Sequence, residues 1–225
     1  MGYYMDLSAI SLKQYADRLK NTELLPSQQV LKEDVDRRFA IIAGQGIQNI
    51  LQLQDMLKTK GKVSSFAKAT ALPEPYLTVL RRELNSYTAQ VRKIADFSSI
   101  GDGLKAGLAA LSILTMEDLY DRVLTPEKCT ALAVELPASV DDVLMLTKLA
   151  DVSRLRYVNP PFATLLAHSA YDTVAKIKEA DPLALHRELM AVNENSGFFK
   201  GRINAKDMEF LAREAGYVSL DIRYD

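Results

Sequence analysis

The residues best suited to binding chemistry are the cations of one short segment, Lys58-Thr59-Lys60-Gly61-Lys62. Three lysines beside a glycine that opens a helix can hold a phosphate by point charge and by the free amides of the helix end. Cations further along would extend this surface; they are Lys68, Arg81 and Arg82. Three or four phosphate contacts would give measurable, salt-dependent binding to nucleic acid. The alternative is a solvated turn in which lysine only maintains solubility.

A second candidate for phosphate binding is the segment Phe97-Ser98-Ser99-Ile100-Gly101-Asp102-Gly103-Leu104. It resembles the hairpin of the helix-hairpin-helix motif of nucleic-acid-binding proteins. In that motif glycines adopt positive φ, approach a phosphate and leave the amides of the next helix free to donate to it. Ile100, Gly101 and Gly103 fit this pattern and Lys105 completes the candidate set, but serines replace the usual Pro-Gly and an aspartate separates the glycines. The sequence leaves open whether this hairpin contacts nucleic acid or is purely structural.

Two further segments bear on binding. Leu155 to Pro161 is the counterpart of this hairpin in a later internal repeat of the chain, and it has lost the glycines altogether. The segment Gly197-Phe198-Phe199-Lys200-Gly201-Arg202 interrupts two predicted helices with paired aromatic rings and two cations. We expect it to be a loop plugged into the core by Phe198 or Phe199; exposed, it would be an interaction patch.

Groups for catalysis or metal binding are sparse. The two histidines, His168 and His186, lie on predicted helices, and neither forms a zinc motif or lies near Cys129 in the sequence. Serine elbows, phosphate loops and dinucleotide fingerprints are missing as well. The sequence therefore predicts no catalytic residue, no metal site, no cofactor and no small-molecule substrate. We expect a protein that is not an enzyme.

The elements that position these residues are predicted to be helices. Leucine and alanine outnumber β-branched residues, and apolar residues recur at spacings of three and four almost throughout. Thr125-Pro126, Asp181-Pro182 and Ser139 are typical helix starts. An alternating tail, Val218 to Ile222, predicts one short terminal β-strand, whose edge could mediate self-association or pair with Tyr3 to Asp6 of the same chain. The expected fold is all-α.

Internal similarity divides the helices into repeats. A shift of 66 residues aligns Ile47 with Ile113 and Leu53 with Leu119, and a diverged third copy begins near residue 150. We interpret the chain as two or three helix-hairpin-helix-like units. They form a basic lobe, 1–92, and a second lobe, 93–225, with hairpin-like units near 95–123 and 150–180.

Charge follows the same division. Residues 1–92 hold 13 Lys plus Arg and 9 Asp plus Glu, a net charge of +4, whereas residues 93–150 hold 5 and 9, a net charge of −4. The overall charge of −1 hides this difference. The lysine segment lies in the basic part, and the recognisable hairpin lies in the acidic part.

Several patterns are similar to those of a bacterial family of uncharacterised all-helical proteins, which is classed as a domain of unknown function. They are Ile10-Ser11-Leu12 and Tyr15, Glu23-Leu24-Leu25-Pro26-Ser27, Gly46-Ile47, Leu57-Lys58, Tyr76-Leu77 and Leu80-Arg81-Arg82-Glu83. The most specific stretch runs from Leu77 to Tyr87. Members of this family resemble tandem helix-hairpin-helix repeats, so the resemblance implies compact helical repeats over most of the chain. It implies nucleic-acid binding by analogy with other hairpin proteins.

The remaining expectations concern location and partner. No signal peptide can be read at the N-terminus, no apolar run is long enough to cross a bilayer, and a single cysteine rules out an internal disulfide. These features predict a soluble cytoplasmic protein that does not enter a membrane. The leading functional hypothesis is an interaction or adaptor protein that binds an unknown protein partner or itself. The alternative is weak, sequence-nonspecific binding of DNA or RNA.

Overall fold

The fold of this chain is all-helical in the computed structural model, which describes residues 2–22, 24, 26–88 and 90–225. Met1, Glu23, Leu25 and Ala89 lie outside the described residues, and two of them belong to the family pattern quoted above. The described ranges contain thirteen α-helices, three short 3-10 helices and no strand. The prediction of an all-α fold is confirmed. None of the helices within these ranges is both long and apolar enough to cross a bilayer.

One compact unit comprises residues 6–88. Its elements are a 3-10 helix at Leu7–Ala9, α1 (Leu12–Asn21), a 3-10 helix at Pro26–Lys32, α2 (Val35–Ala43), α3 (Ile50–Met56), α4 (Lys60–Thr70) and α5 (Glu74–Asn85). The amphipathic α1 buries Tyr15 and Leu19 and packs against α2. α5 packs against both α3 and α4.

The second compact unit comprises residues 1–5 and 89–225. Its elements are a 3-10 helix at Ile94–Asp96, α6 (Asp102–Ala110), α7 (Met116–Tyr120), α8 (Pro126–Glu135), α9 (Val140–Val152), α10 (Pro160–Ala167), α11 (Val174–Lys178), α12 (Pro182–Ser196) and α13 (Ala205–Ala215). The contacts thus divide the chain after residue 88, whereas charge divides it after residue 92.

Polar side chains define where the helices begin. The Thr125 hydroxyl accepts a hydrogen bond from the Lys128 amide, and the Asp181 carboxylate accepts one from the Ala184 amide, each followed by a proline at the first helical position. Ser139 forms a reciprocal capping box at the start of α9. The helix starts expected at these three positions are confirmed. Each cap supplies an acceptor for an amide that has none within the helix.

The same contacts recur three times along the chain. α5 packs on α3 and α4, α9 packs on α7 and α8, and α13 packs on α11 and α12. The aligned apolar residues fill equivalent places: Leu53 in α3, Leu119 in α7 and Ile177 in α11 are all fully buried. Spacing in the sequence therefore corresponds to a recurring position in the core.

In the three short helices α3, α7 and α11, the first backbone amide has a specific hydrogen-bond acceptor. In α3 and α7 it donates to a backbone carbonyl, that of Ile10 at 3.0 Å and that of Arg92 at 2.8 Å. In α11 the acceptor is a side chain, because the Val174 amide donates to the Asp151 carboxylate at 2.9 Å. Asp151 is buried, and burial raises its pKa. At α11 a buried carboxylate thus occupies the role that a backbone carbonyl has at α3 and α7.

The terminal β-strand predicted at 218–222 is wrong. The segment forms no strand, and only one end of its apolar face is buried: Val218 is 7% exposed, whereas Leu220 is 51% exposed. Its polar groups are bound inside the same compact unit. The Arg154 guanidinium donates to both the carbonyl and the hydroxyl of Ser219 at 2.8 Å, and the Tyr224 hydroxyl donates to Asp151 at 3.1 Å. Because these side chains hold the tail, it needs no neighbouring strand.

Candidate functional site

The lysine segment connects α3 to α4 on the surface of the unit 6–88. Lys58, Lys60 and Lys62 are all exposed, and the Thr59 hydroxyl caps α4 by accepting from the Lys62 amide at 3.2 Å. The space beside Gly61 is open, since a Cβ there would meet nothing closer than the Thr59 hydroxyl at 4.0 Å. The backbone at the start of α4 is therefore accessible to a ligand.

The charge at this helix start opposes the helix dipole. No acidic residue lies in the first turn of α4, and two lysines do. Cations are unfavourable at a helix N-terminus, which carries about half a positive charge of its own. The starts of α8 and α12 instead carry Pro126 and Pro182, and Glu127 adds a negative charge to the first turn of α8. The fold therefore does not require a lysine at the first position of such a helix, where α4 has Lys60.

Lys62 has a structural contact that the sequence did not predict. Its ammonium donates to the carbonyl of Asp55 at 2.8 Å, at the end of α3. Lys128 makes the same contact with the carbonyl of Asp121 at 2.8 Å, 66 residues further on. Lys62 thus connects α4 to the end of α3. Within this segment, the structure shows no such lysine-to-carbonyl contact for Lys58 or Lys60.

The remaining cations of this candidate differ in exposure. Lys68 on α4 and Arg82 on α5 are exposed, whereas Arg81 is partly buried with its Nε atom enclosed. Lys68 and Arg82 can meet a ligand in solvent. Arg81 contributes mainly to the packing of α5.

The hairpin before α6 is built differently from the prediction. Ile100 is buried and anchors the turn, but Gly101 has a φ of −64° as the N-cap of α6, and Gly103 lies inside the helix. The positive φ expected at these glycines is wrong; the described glycines that adopt it are Gly46 and Gly197. The chain enters α6 through extended backbone that any residue can adopt. A Cβ on Gly101 or Gly103 would meet nothing within 4 Å, so both are open to solvent.

The electrostatics of this hairpin do not favour an anion. Asp102 occupies the first position of α6, and Lys105, half-buried, follows one turn later. No side chain caps the helix. The hairpin and the lysine segment lie in different compact units.

The histidines and the cysteine make structural contacts. The rings of His168 and His186 lie 2.8 Å from the Thr164 carbonyl and 3.1 Å from the Ile203 carbonyl, respectively. Cys129 is buried, and its thiol contacts the Val123 carbonyl at 3.6 Å. Within the part of the chain that the structure describes, no three potential metal ligands cluster.

A cavity of about 200 Å³, which the sequence did not predict, lies within the unit 1–5 and 89–225. It is bounded by the α9–α10 connection, α10, the α12–α13 connection and α13. Aromatic rings, arginines and aliphatic groups line it; they are Arg156, Tyr157, Val158, Asn159, Phe162, Phe199, Arg202, Ile203, Asp207, Met208, Phe210 and Leu211. Such a mixture is typical of sites that bind small or planar groups.

The loop that carries Phe198 and Phe199 is held firmly against this cavity. The side chain of Asn193 clamps Phe199, accepting from its amide and donating to its carbonyl at 2.8 Å each. The Phe199 ring packs on Phe162 with centroids 5.0 Å apart, and Phe198 packs on His168 at 4.7 Å. The Phe199 ring also covers Gly201, leaving no room for a Cβ. This loop is therefore a wall of the cavity, and both its rings are half-buried.

The α9–α10 connection supplies the polar part of the cavity. Arg156 is only 6% exposed; its guanidinium donates to the Tyr157 hydroxyl at 2.9 Å and lies 3.8 Å from the buried carboxylate of Glu214. Tyr157 has a φ of +65°, in the left-handed region that a bulky side chain rarely adopts. In the sequence these residues stood out only by the loss of glycines, a signal that says nothing of an aromatic cavity.

Comparison with known proteins concerns the C-terminal part of the chain. No curated protein and no solved structure matches significantly. A family model described as a domain of unknown function, DUF4332, matches residues 98–215, more than half of the 225 residues. This range runs from the hairpin before α6 to the end of α13 and contains the cavity. The N-terminal patterns that first suggested a family lie outside it. By the match over 98–215, the chain belongs to the DUF4332 family of unknown function.

Proposed function

We propose that the protein is a non-enzymatic binding protein and that it binds the phosphate backbone of nucleic acid, without sequence specificity, at the lysine segment between α3 and α4. One observation carries this proposal. The start of α4 combines exposed Lys58 and Lys60 with an open glycine, although cations oppose the helix dipole at that end. A local arrangement that lowers stability is a common property of functional sites.

The chemistry follows from the geometry of a helix start. The first amides of an α-helix have no acceptor within the helix, and the Thr59 hydroxyl supplies one only for the Lys62 amide. The amides of Lys60 and Gly61 can therefore donate to a phosphate oxygen. The lysine side chains add charge attraction, and Lys68 and Arg82 can extend the contact along the strand. None of these groups reads a base, so sequence specificity is not expected.

The organisation proposed for the chain is a set of helix-hairpin-helix-like repeats. Three observations support it: the recurring contacts of α5, α9 and α13, the aligned buried residues, and the lysine-to-carbonyl contact that Lys62 and Lys128 share. α3 and α4 then stand as the helix pair of the first repeat, with the lysine segment as their connection. On this proposal only the first repeat keeps a phosphate-binding connection.

A protein partner is the second candidate. Self-association through the tail loses its support, because the tail forms no edge strand. An observation in its favour is the pair Val134 and Val140, which flank the α8–α9 connection and are 79% and 53% exposed. An apolar pair so close in sequence suits a partner's helix. Co-purification of a partner that is lost on changing both valines to serine would support this candidate.

The test of nucleic-acid binding measures fluorescence anisotropy of a labelled duplex and a labelled single strand at increasing salt. The wild-type protein is expected to bind with a log–log salt slope of magnitude about 2 to 4. The double variant Lys58→Gln/Lys60→Gln is expected to lose most of that slope while retaining its melting temperature. No binding in 50 mM salt, or binding by the double variant equal to wild type, would refute the proposal.

Lys128→Gln is the matched control. It removes a lysine that contacts a carbonyl in the same way as Lys62, but in the other compact unit. Lys62→Gln and Lys128→Gln are expected to lower stability similarly, and only Lys62→Gln to weaken nucleic-acid binding. Equal weakening in both would assign the effect to folding.

A further inference from the structure

We propose that the cavity between α10 and α13 is a binding site for a nucleotide, with the base inside the cavity and the phosphate at Arg202. The proposal does not rest on the lysine segment, since the cavity lies in the other compact unit. It goes beyond the sequence, which predicted no small-molecule ligand.

The size and walls of the cavity suit a planar ring. A cavity of about 150 Å³ is large enough to hold benzene. The present one, at about 200 Å³, accommodates one base, while the sugar and phosphate remain outside. Two pairs of rings form its walls: Phe162 with Phe199, centroids 5.0 Å apart, and Tyr157 with Phe210, 5.7 Å apart. Stacking on aromatic rings is how proteins hold a base regardless of its identity.

Arg156 gives the aromatic wall a polar edge. Its guanidinium lies 4.8 Å from the centre of the Tyr157 ring and 5.6 Å from that of Phe210, so it is stacked in the wall itself. Because the Glu214 carboxylate balances its charge at 3.8 Å, it adds little net charge to the cavity. Arginine in this setting stacks on a base and can donate to its ring nitrogen and carbonyl acceptors.

The exposed cation of the cavity is Arg202. Its side chain is exposed at the rim. Asp207 is the acidic residue of the lining, and its carboxylate faces Asn204, accepting from the backbone amide at 3.2 Å and the side-chain amide at 3.0 Å. Arg202 is therefore placed to bind an anionic group attached to a ring in the cavity. A phosphate fits the fork of a guanidinium especially well.

Backbone strain points to the same place. Tyr157 holds a left-handed conformation at +65°, and among the described residues with positive φ it is the aromatic one. Such a conformation is unfavourable in a residue with a Cβ, and it clusters at functional sites. It places the Tyr157 ring against Phe210 while leaving it 61% exposed, so the ring is available to a ligand.

The experiment is isothermal titration of the full chain with adenosine 5′-monophosphate, with adenosine and with a ten-nucleotide single strand. The monophosphate is expected to bind about tenfold more tightly than adenosine, the effect of one charge-assisted contact. Arg202→Gln is expected to remove that difference without changing the affinity for adenosine. Tyr157→Asn, which tolerates a left-handed backbone, is expected to weaken both ligands at a temperature at which circular dichroism shows the variant to be folded.

The strand distinguishes the two sources of a nucleotide. Tighter binding of the strand than of the monophosphate, sensitive to Arg202→Gln, would assign the site to single-stranded nucleic acid; preference for the monophosphate would assign it to a free nucleotide. Lys58→Gln/Lys60→Gln should leave monophosphate binding unchanged, which separates this test from that of the lysine segment. Absence of binding by all three ligands at about 1 mM, or unchanged affinity in both Arg202→Gln and Tyr157→Asn, would overturn the proposal.

Discussion

Two regions of the molecule, residues 92–120 and residues 151–178, contain the same order of elements: a connection, a helix, a turn and a short helix. The hydrogen-bond acceptors that fix the short helix differ between them. In the first region the α7 amide donates to a backbone carbonyl, and Gly101 follows Ser98 by three residues. In the second region a buried carboxylate accepts from α11. Ser153 aligns with Ser98 in the sequence, and the helix cap Asn159 follows Ser153 by six residues, so this connection is three residues longer. The longer connection provides the arginine and the strained tyrosine of the cavity.

This comparison shows how one helical framework supports two kinds of surface. The glycines after the short connection are exposed to solvent, and Gly101 has ordinary backbone dihedral angles. The long one buries charged groups and approaches a loop from elsewhere in the chain. Substitutions in the second region should therefore affect stability much more than equivalent ones in the first.

The largest expected effect is that of Arg156→Ala. The change removes the guanidinium that lies 3.8 Å from the buried Glu214 carboxylate and stacks on two rings. Breaking a buried pair in this way costs about 3 to 5 kcal/mol in free energy of unfolding. Urea denaturation measures it. A cost equal to that of Gly101→Ala, at the corresponding open connection, would contradict the comparison.

The second effect is that of Gly201→Ala. A Cβ at this position overlaps the Phe199 ring, which packs on Phe162 and whose backbone is held by the Asn193 side chain. Overpacking of this kind costs about 1 to 3 kcal/mol, measured as a lower free energy of unfolding. The expected shift of Phe199 also alters the cavity wall. If the variant is as stable as wild type, the loop adapts more freely than the clamp implies.

The third effect concerns acid stability and Asp172→Asn. Burial alone would raise the pKa of Asp172, but ion pairs with Lys176 at 2.7 Å and Lys148 at 2.9 Å lower it below its usual value. The stabilisation is thus present above the ordinary carboxyl pKa and is lost as pH falls through the lowered one. We expect Asp172→Asn to cost about 1 kcal/mol at pH 7 and less at pH 3.

The matched control is Leu114→Asn, at the corresponding exposed position before α7. Its effect on unfolding should not depend on pH between 3 and 7. An equal pH dependence in both variants would remove Asp172 as the cause.

The smallest effect is that of Gly103→Ala in α6. The glycine is helical, has ordinary φ and would meet nothing within 4 Å. Alanine favours the helix over glycine, so the variant is expected to be more stable by about 0.5 kcal/mol. Thermal unfolding measures the gain. Destabilisation would mean that the hairpin needs this glycine after all.

Local features were predictable because their causes are local. The helix starts at Thr125, Ser139 and Asp181 depend on a side chain and an amide three residues apart. The aligned apolar positions Leu53, Leu119 and Ile177 marked residues that the structure shows to be buried. The tail was not predictable, because alternation in five residues cannot reveal that Arg154 and Asp151 bind it instead of a strand.

The lysine segment could be predicted from the sequence, whereas the cavity could not. Side-chain type and short spacing were enough to predict that the chain is helical, where many of its helices begin and where the cations gather. Only the packed chain shows that Lys62 connects α3 to α4, that Gly101 has ordinary backbone, and that Arg156, Phe162, Phe199 and Phe210 line one cavity. Those outcomes depend on segments up to about fifty residues apart meeting in space, and no spacing along the chain encodes the distance between their side chains.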